Sequence, residues 1–407
     1  MARKNLSMKT KKILFIVDDF LPYSTKVAAK MMFELATSFK DKGFHVSVLT
    51  PLHTLKKSFE QKEVQGIDTI FFKSGKIKNI PKIKRAINES LLSYRAWKYC
   101  KTFFKTNHFD AIVYYSPSIF WGKLISKLKN LYNAKTYLIL RDIFPQWTID
   151  NGLMKKDSLI HKYFKHFERI NYKNADCIGV MSEANLKWCQ ENLKNPAKFE
   201  VLPNWTKIDP LPLQSNKYRK SLHLENKIVF FYGGNIGHAQ NMINLVDLAI
   251  AMEPFPEAHF LFVGKGDEVA LILEKQREYN LTNVTYLPAV DQKEYFQMLS
   301  EFDVGLFNLH PNHLTHNFPG KLLGYMEYSK PILGCVNKGN DLKEVINEAK
   351  AGFIFENADK QELFMAAQQL LQSKQLRERM GNNSFNLLNQ RFNVETTQKH
   401  IEKSLFG

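Results

Sequence analysis

Short, unbroken apolar runs alternate along the chain with stretches whose apolar residues recur at helical spacing. The first run, Lys12–Val17, is followed by an amphipathic stretch, Val27–Lys40, and then by a second run, His45–Leu49. Strands that are apolar on both faces are typical of parallel sheets covered on both sides, and parallel neighbours need a long crossover that is usually a helix. The pattern therefore predicts a βαβ unit at the start of an α/β fold.

A second alternating series begins at Lys227–Tyr232. Residues 206–226, which precede it, contain two prolines and no clear strand pattern, so we interpret them as a connection between domains. A chain of 407 residues is also long enough for two or three domains. We predict two doubly wound, Rossmann-like domains at residues 1–205 and 206–385, with a C-terminal helix over 386–407. Such sheets bind ligands at the carboxyl ends of their strands.

The positive charge of the chain is concentrated in one segment. The 57 Lys and Arg outnumber the 40 Asp and Glu by 17, and residues 73–105 hold ten basic residues against one acid, Glu89. Apolar residues recur in this segment at helical spacing, which predicts a basic amphipathic helix. Its apolar face could join the core with the cations merely solvated, or the helix could bind an anionic membrane surface. No nucleic-acid motif supports a third partner, nucleic acid.

Other features limit where such a protein works. No apolar stretch approaches the roughly 18 residues that a membrane span needs, and the N-terminus lacks a secretory apolar region. The four cysteines have no CxxC spacing, which argues against a zinc site or a disulfide framework and for a reducing compartment. We therefore expect a cytoplasmic protein without a structural metal.

Two glycine-rich turns follow strands of the second series. In Phe231–Gln240 the turn contains Gly233, Gly234, Asn235 and His238, and a helix follows; a second turn contains Gly264. Glycines let a backbone approach a ligand closely, and a helix N-terminus favours an anion. The GxGxxG fingerprint of dinucleotide sites is absent, and a tight turn that needs glycine for packing explains both segments equally well.

A third loop combines polar residues with the start of a helix. The segment contains His316, Asn317, Phe318, Pro319, Gly320 and Lys321, directly before apolar residues at helical spacing. Free backbone amides and the Lys321 ammonium could hold a diphosphate. The alternative is a simple helix start with a solvated lysine.

In the first series, Arg141 and Asp142 directly follow a predicted strand, Thr136–Leu140. A charged pair at this position lies where doubly wound folds place their active sites. A structural salt bridge is the competing interpretation.

Taken together, these segments resemble glycosyltransferase family 4, the retaining GT-B enzymes, and more narrowly its O-antigen L-fucosamine transferase-like subgroup. The resemblance runs in order through nearly the whole chain. The segments that carry it are 13–51, Tyr114–Trp121, Arg141–Pro145, Leu202–Trp205, Phe231–Gln240, Phe262–Asp267, Asn283–Leu287, Asp303–Leu309 and Phe318–Pro331.

The resemblance implies a GT-B architecture, in which two Rossmann-like domains face each other across a cleft. It implies an acceptor-binding first domain, a nucleotide-sugar-binding second domain and a last helix that crosses back to the first. It further implies a UDP-sugar donor, retention of anomeric configuration, no metal ion and no bound cofactor. The subgroup suggests N-acetyl-fucosamine or another deoxy-amino sugar, transferred to a lipid-diphosphate-linked acceptor in O-antigen or capsule synthesis. With residues 73–105 on an anionic membrane, the enzyme would be peripheral to the inner face of the plasma membrane.

The chain departs from the family at charged positions. His316 and Gly324 stand where the family has two glutamates, and Asn235 and roughly Gln240 stand where it has an arginine and a lysine. Lys321 is the best substitute for the lost cations.

His238 is a weaker substitute for those cations. Asp142 is a candidate for positioning the acceptor or for acting as base, with Arg141 beside it. Two alternatives remain: a non-hydrolysing UDP-sugar 2-epimerase, and a nucleotide-sugar-binding protein without catalytic activity.

Overall fold

The computed structural model describes residues 10–24, 26–77, 80–150, 152–208, 215–311, 320–356 and 359–407. The chain divides into two compact units. Unit 1 comprises Met1–Lys207 and Val394–Gly407, and unit 2 comprises Ile208–Asn393. Among the described residues, no helix is both long enough and apolar enough to span a bilayer.

Unit 1 is built on one eight-stranded sheet. Its strands are β1 (Lys12–Ile16), β2 (His45–Leu52), β3 (Phe59–Val64), β4 (Ile67–Lys73), β5 (Ala111–Ser116), β6 (Lys135–Leu140), β7 (Cys177–Val180) and β8 (Lys198–Val201). Its first seven helices are α1 (Val27–Asp41), α2 (Lys82–Ser90), α3 (Leu92–Thr106), α4 (Gly122–Tyr132), α5 (Gln146–Asp150), α6 (Leu159–Lys173) and α7 (Glu183–Asn192).

The strand order is β3-β4-β2-β1-β5-β6-β7-β8, and every neighbouring pair is parallel except β3–β4. Both faces of β1 are buried, because Ile13 and Phe15 pack into one hydrophobic cluster and Leu14 and Ile16 into another. This double burial explains why the strand reads as a continuous apolar run.

Unit 2 contains a six-stranded sheet. Its strands are β9 (Ile228–Asn235), β10 (Ala258–Lys265), β11 (Val284–Pro288), β12 (Val304–Asn308), β13 (Ile332–Val336) and β14 (Gly352–Glu356). Its helices are α8 (Lys217–Ser221), α9 (Met242–Ala251), α10 (Val269–Glu278), α11 (Gln292–Glu301), α12 (Gly320–Glu327), α13 (Leu342–Glu348), α14 (Lys360–Gln372) and α15 (Lys374–Leu387). The order β11-β10-β9-β12-β13-β14 is entirely parallel and is the 3-2-1-4-5-6 order of a dinucleotide-binding doubly wound sheet. The prediction of two doubly wound α/β sheets is therefore confirmed.

The spacing of apolar residues predicted one helix for the basic segment, residues 73–105. This prediction is wrong. Strand β4 reaches Lys73, and two helices follow that are separated at Leu91. The break separates two environments: α3 buries Leu92, Ala96 and Cys100 in the core of unit 1, whereas α2 buries none of its described side chains.

The expected connection and the C-terminal helix also differ in extent. Part of residues 206–226 belongs to unit 2, because Arg219 of α8 donates 2.7 Å hydrogen bonds to the Glu301 carbonyl and to Asp303 Oδ2. At the other end, residues 386–393 remain in unit 2, where Leu388 and Phe392 are buried. Within the predicted segment 386–407, the part that belongs to unit 1 is the final helix, α16 (Val394–Phe406), with Gly407.

Candidate functional site

The sheet order of unit 2 reverses between β9 and β12, which lie side by side. Doubly wound sheets bind ligands at the carboxyl ends of the strands at such a switch point. Residues at and just after the end of β12 fix the turn after β9. Asn308 Nδ2 donates 3.0 Å hydrogen bonds to the carbonyls of Gln240 and Asn241, and the His310 amide donates to the Ala239 carbonyl at 3.0 Å. The glycine-rich turn predicted from the sequence is thus a fixed surface at the switch point.

Packing requires glycine at two positions of this surface, and backbone conformation favours it at a third. A Cβ on Gly264 would lie 1.9 Å from the carbonyl oxygen of Gly234, its register partner in β9, and one on Gly233 would lie 2.3 Å from the Tyr295 ring. Gly234 has a φ of +128°, which favours glycine. A larger residue at any of these positions would therefore displace or strain the turn.

Lys321 is the cation that the structure brings to this turn. Its Nζ donates a hydrogen bond to Tyr232 Oη at 2.7 Å and lies 3.9 Å from the centroid of the same ring. A Cβ on Gly234 would lie 3.3 Å from that nitrogen. No carboxylate among the described residues forms an ion pair with it, and burial lowers the pKa of Lys321 to about 7. An enclosed ammonium without an acidic partner favours an anionic ligand.

Buried tyrosines hold Lys321 and the turn in place. Tyr232 Oη accepts from Lys321 and donates to the Asn235 carbonyl at 2.5 Å. Tyr325, one helical turn after Lys321, donates to the Leu306 carbonyl at 3.1 Å and accepts from the Gly233 amide at 3.3 Å. Sequence reasoning missed these tyrosines, although the i, i+4 spacing of Lys321 and Tyr325 was a readable signal that they share a helix face.

The other polar residues of the turn pair with each other. Asn235 Nδ2 donates to Gln240 Oε1 at 2.6 Å, so the two positions where the resembling family carries cations form a neutral pair. His238 Nδ1 lies 3.4 Å from Glu268 Oε1, and its ring packs on His310 with centroids 4.7 Å apart. A carboxylate beside His238 makes this residue a weaker anion ligand than Lys321.

The other predicted residues of the third loop belong to α12 or precede it in the sequence. His316, Asn317, Phe318 and Pro319 lie outside the described residues, while Gly320 is the first residue of α12. Gly324 is buried, and a Cβ there would contact Leu299 Cδ2 at 3.5 Å in an apolar layer formed with α11.

In unit 1 the sheet order reverses between β1 and β5, and charged residues gather at this end of the sheet. Burial raises the pKa of Tyr115, in β5, to about 12, and the charges of Arg141, Asp142, Asp18 and Asp19 also act on it. The structure therefore brings the sequence-predicted pair together with both aspartates that follow β1.

Arg141 is buried and held by the backbone. It donates to the carbonyls of Leu140 at 3.3 Å and Pro203 at 3.1 Å, and its guanidinium carbon lies 5.2 Å from the centroid of the Trp205 ring. Burial lowers the pKa of Arg141 to about 10 and raises that of Asp142, an effect that the neighbouring Arg141 only partly offsets. The raised pKa makes the Asp142 carboxylate a stronger base than a solvent-exposed aspartate. Trp205 was missed as its stacking partner.

A cavity of about 200 Å³ lies in unit 1 beside Asp18 and Asp19. Polar side chains line it next to aromatic ones, and Trp121 Nε1 fixes Asp18 through a 2.9 Å hydrogen bond to Oδ1. Its polar lining residues include Asp18, Asp19, Ser24, Thr50 and His53.

Comparisons with known proteins agree with this geometry. The chain superimposes on sucrose-phosphate synthase from Thermosynechococcus elongatus with a TM-score of 0.68 at 16% identity, covering 97% of this chain and 98% of that one. It superimposes on Anabaena HepE, solved in complex with UDP, with a TM-score of 0.67 at 16% identity, covering 97% and 99%. The chain therefore has the GT-B glycosyltransferase fold.

Sequence comparison points to the same class. Residues 214–387, which form most of unit 2, match the family described as "Glycosyl transferases group 1". The chain is 25% identical over 229 residues to the probable glycosyltransferase WbjE of Pseudomonas aeruginosa, which covers 56% of this chain and 57% of that protein. The match thus spans little more than half the length of this curated relative.

Proposed function

We propose that the protein is a retaining glycosyltransferase of family 4 that uses a UDP-sugar donor. The observation that carries the proposal is Lys321, an enclosed ammonium without a described acidic partner at the switch point of unit 2. This point lies within the residues that match the glycosyltransferase family. The UDP complex of HepE, a protein of the same fold, supports UDP as the nucleotide.

The proposed chemistry follows from where charge develops. Cleavage of the sugar–phosphate bond leaves negative charge on the departing diphosphate, and preset cations and amides stabilise that charge. Lys321, oriented by Tyr232, and the first amides of α12 supply this stabilisation. The acceptor hydroxyl attacks the same face of the anomeric carbon that the phosphate leaves, and its proton passes to the phosphate oxygen. No protein nucleophile is needed, and Asp142 with Arg141 positions the acceptor.

Lys321 supplies positive charge without a metal, so we propose a metal-independent reaction. Excess EDTA should leave turnover unchanged. A loss of turnover that Mg²⁺ restores would contradict this part of the proposal.

The finer identity rests on the sequence resemblance. We propose a deoxy-amino sugar such as N-acetyl-fucosamine, transferred to a lipid-diphosphate-linked saccharide in O-antigen or capsule synthesis at the cytoplasmic face of the plasma membrane. The basic segment 73–105, with its net charge of +9, supports an anionic membrane as the place of this reaction.

One assay tests the proposal against its alternatives. The protein is incubated with labelled UDP-sugars, with and without a polyprenyl-diphosphate-linked sugar. Lipid-linked product is the expected result. Interconverted nucleotide-sugar would indicate the epimerase instead, and binding without turnover would indicate the inactive binding protein, for which the neutral Asn235–Gln240 pair is the supporting observation.

A further inference from the structure

Two helices of unit 1 expose apolar side chains instead of burying them. On α2, Ile83 is 78% exposed and Ile87 is 56% exposed, one helical turn apart. On α6, far away in sequence, Leu159 is 87% exposed and Ile160 is 59% exposed. Single exposed apolar residues need no explanation, but groups of them mark interaction surfaces.

The two exposed groups form one continuous surface. Ser90 Oγ, at the end of α2, is hydrogen-bonded to Tyr163 Oη, one turn after Leu159 and Ile160 on α6. Leu91, which directly follows α2, and Tyr94, in the first turn of α3, are also exposed. We call this set the two-helix surface; it consists of Ile83, Ile87, Leu91, Tyr94, Leu159, Ile160 and Tyr163.

Positive charge surrounds the apolar residues on both helices. The segment 153–169, which contains the start of α6, has five Lys or Arg against two acids, a net charge of +3. This charge adds to that of segment 73–105 on the α2 side. The exposed cations around the surface are Lys84, Arg85, Lys98 and Lys101 on the first side and Lys155, Lys156, Lys162 and Arg169 on the second.

We propose that the two-helix surface docks on an anionic lipid bilayer, with its apolar side chains inserted between headgroups and its cations on lipid phosphates. Apolar residues inside a cationic rim fit the boundary between headgroups and acyl chains. A second copy of this chain would bring the same positive charge to the contact, and a nucleic-acid duplex would leave the isoleucines and leucines in water. The inference extends the membrane contact from segment 73–105 to α6 and does not depend on glycosyl transfer.

Insertion can be measured at one position. All four native cysteines are buried, so Leu159→Cys offers one accessible thiol for an environment-sensitive fluorophore. Vesicles of phosphatidylglycerol and phosphatidylcholine should shift its emission to the blue, and vesicles of phosphatidylcholine alone should shift it little. The same fluorophore on Met365→Cys, an exposed position in unit 2, is the control and should not respond.

Binding separates the apolar from the charged contribution. The double variant Leu159→Ser, Ile160→Ser should co-sediment with anionic vesicles about tenfold less than the parent protein. Lys155→Glu with Lys156→Glu should bind less than the parent protein, and this deficit should be largest at low salt, where exposed charges are screened least. The matched control, Tyr279→Ser with Met365→Ser, removes exposed apolar residues elsewhere and should bind as the parent does.

Three results would overturn the inference. They are an unshifted Leu159→Cys fluorophore on bound protein, unchanged vesicle binding of the Leu159→Ser, Ile160→Ser variant, and a dimer that this variant dissociates. UDP binding is measured on every variant and should stay unchanged. A failure of docking is therefore distinguishable from a failure of the proposed enzyme function, which would show in UDP binding and turnover of the parent protein.

Discussion

At the scale of single residues, the proposed donor site depends on Lys321. Its ammonium is held by the Tyr232 hydroxyl and ring, and its surroundings offer no described carboxylate. Keeping a charge in such surroundings costs free energy, and a bound anion offsets this cost by pairing with the charge. The site therefore favours an anionic ligand, such as the diphosphate of the proposed donor, over a neutral one.

Removal of this ammonium should slow the reaction strongly. Lys321→Ala should lower kcat by about two orders of magnitude, because one preset group on the developing charge contributes about that much. Sugar transfer under donor saturation measures the effect. The control is Lys275→Ala, which removes a lysine that pairs with Glu278 on α10. Unchanged turnover in Lys321→Ala would refute the role.

UDP affinity should fall as pH rises through about 7. Burial lowers the pKa of Lys321 to about 7 in the free protein, so the residue loses its charge in this range and with it the attraction to the diphosphate. Binding should take up protons there, since the anion raises this pKa again. Calorimetry between about pH 7.5 and pH 8.5 measures both effects, because UDP changes its own charge little between the titration of its terminal phosphate and that of its uracil N3–H.

The control for this pH profile is Lys321→Arg, which stays charged throughout the range. Its UDP affinity should be independent of pH. A parent protein with equally flat affinity and no proton uptake would contradict the assignment of Lys321 to the diphosphate.

At the scale of elements, the last helix contributes to the core of unit 1 by packing against segments that are distant in sequence. Helix α16 completes the core of unit 1: Ile401 and Leu405 are buried with residues of β1 and α1, and Phe406 stacks on Phe44 with centroids 5.7 Å apart. Unit 1 therefore cannot bury this part of its core with residues 1–207 alone.

Truncation of a buried side chain on α16 should destabilise unit 1. Ile401→Ala should lower the free energy of unfolding by about 2 to 5 kcal/mol, because it leaves a cavity in a fully buried site. Chemical denaturation measures the loss. Lys399→Ala, at an exposed position of the same helix, should change stability little. Equal stability of the two variants would show that α16 does not contribute to the core.

Elements with a simple hydrophobic pattern could be predicted from the sequence, and others could not. The central parallel strands are apolar on both faces, and their runs predicted β1, β6 and β9 to within a few residues. The hairpin β3–β4 was missed because β3 exposes much of its length, and its turn, Gln65–Gly66, has positive φ at both residues without the usual Asn-Gly signal.

The candidate sites show the same contrast between residues that a local pattern predicts and residues that it does not. Residues at strand ends could be placed because parallel strands bring their carboxyl ends to one edge, which predicted Arg141, Asp142 and the glycine turn at their observed positions. Partners from distant segments, such as Trp205 beside Arg141 and Tyr232 beside Lys321, depend on packing that no local pattern encodes.

At the scale of the whole molecule, each unit carries one sheet with one switch point, and charge distinguishes the two. In unit 2 the switch point holds Lys321, a cation without an acidic partner among the described residues. In unit 1 the switch point holds three aspartates, Asp18, Asp19 and Asp142. Segment 73–105 of unit 1 also carries more than half of the net charge of +17. In the proposed enzyme, the soluble donor and the membrane-bound acceptor therefore bind through separate surfaces.

This separation predicts that salt affects the two substrates differently. Transfer to a lipid-linked acceptor in anionic vesicles should slow several-fold between about 0.1 M and 0.5 M NaCl, because exposed charges are screened beyond a Debye length of about 10 Å already at 0.1 M. Transfer to a short-chain, water-soluble analogue of the same acceptor should change much less, since the enclosed Lys321 is screened weakly. The ratio of the two rates reports membrane docking independently of donor binding. A ratio that does not change with salt would mean that the charge of segment 73–105 contributes nothing to acceptor capture, even if the enzyme transfers sugar.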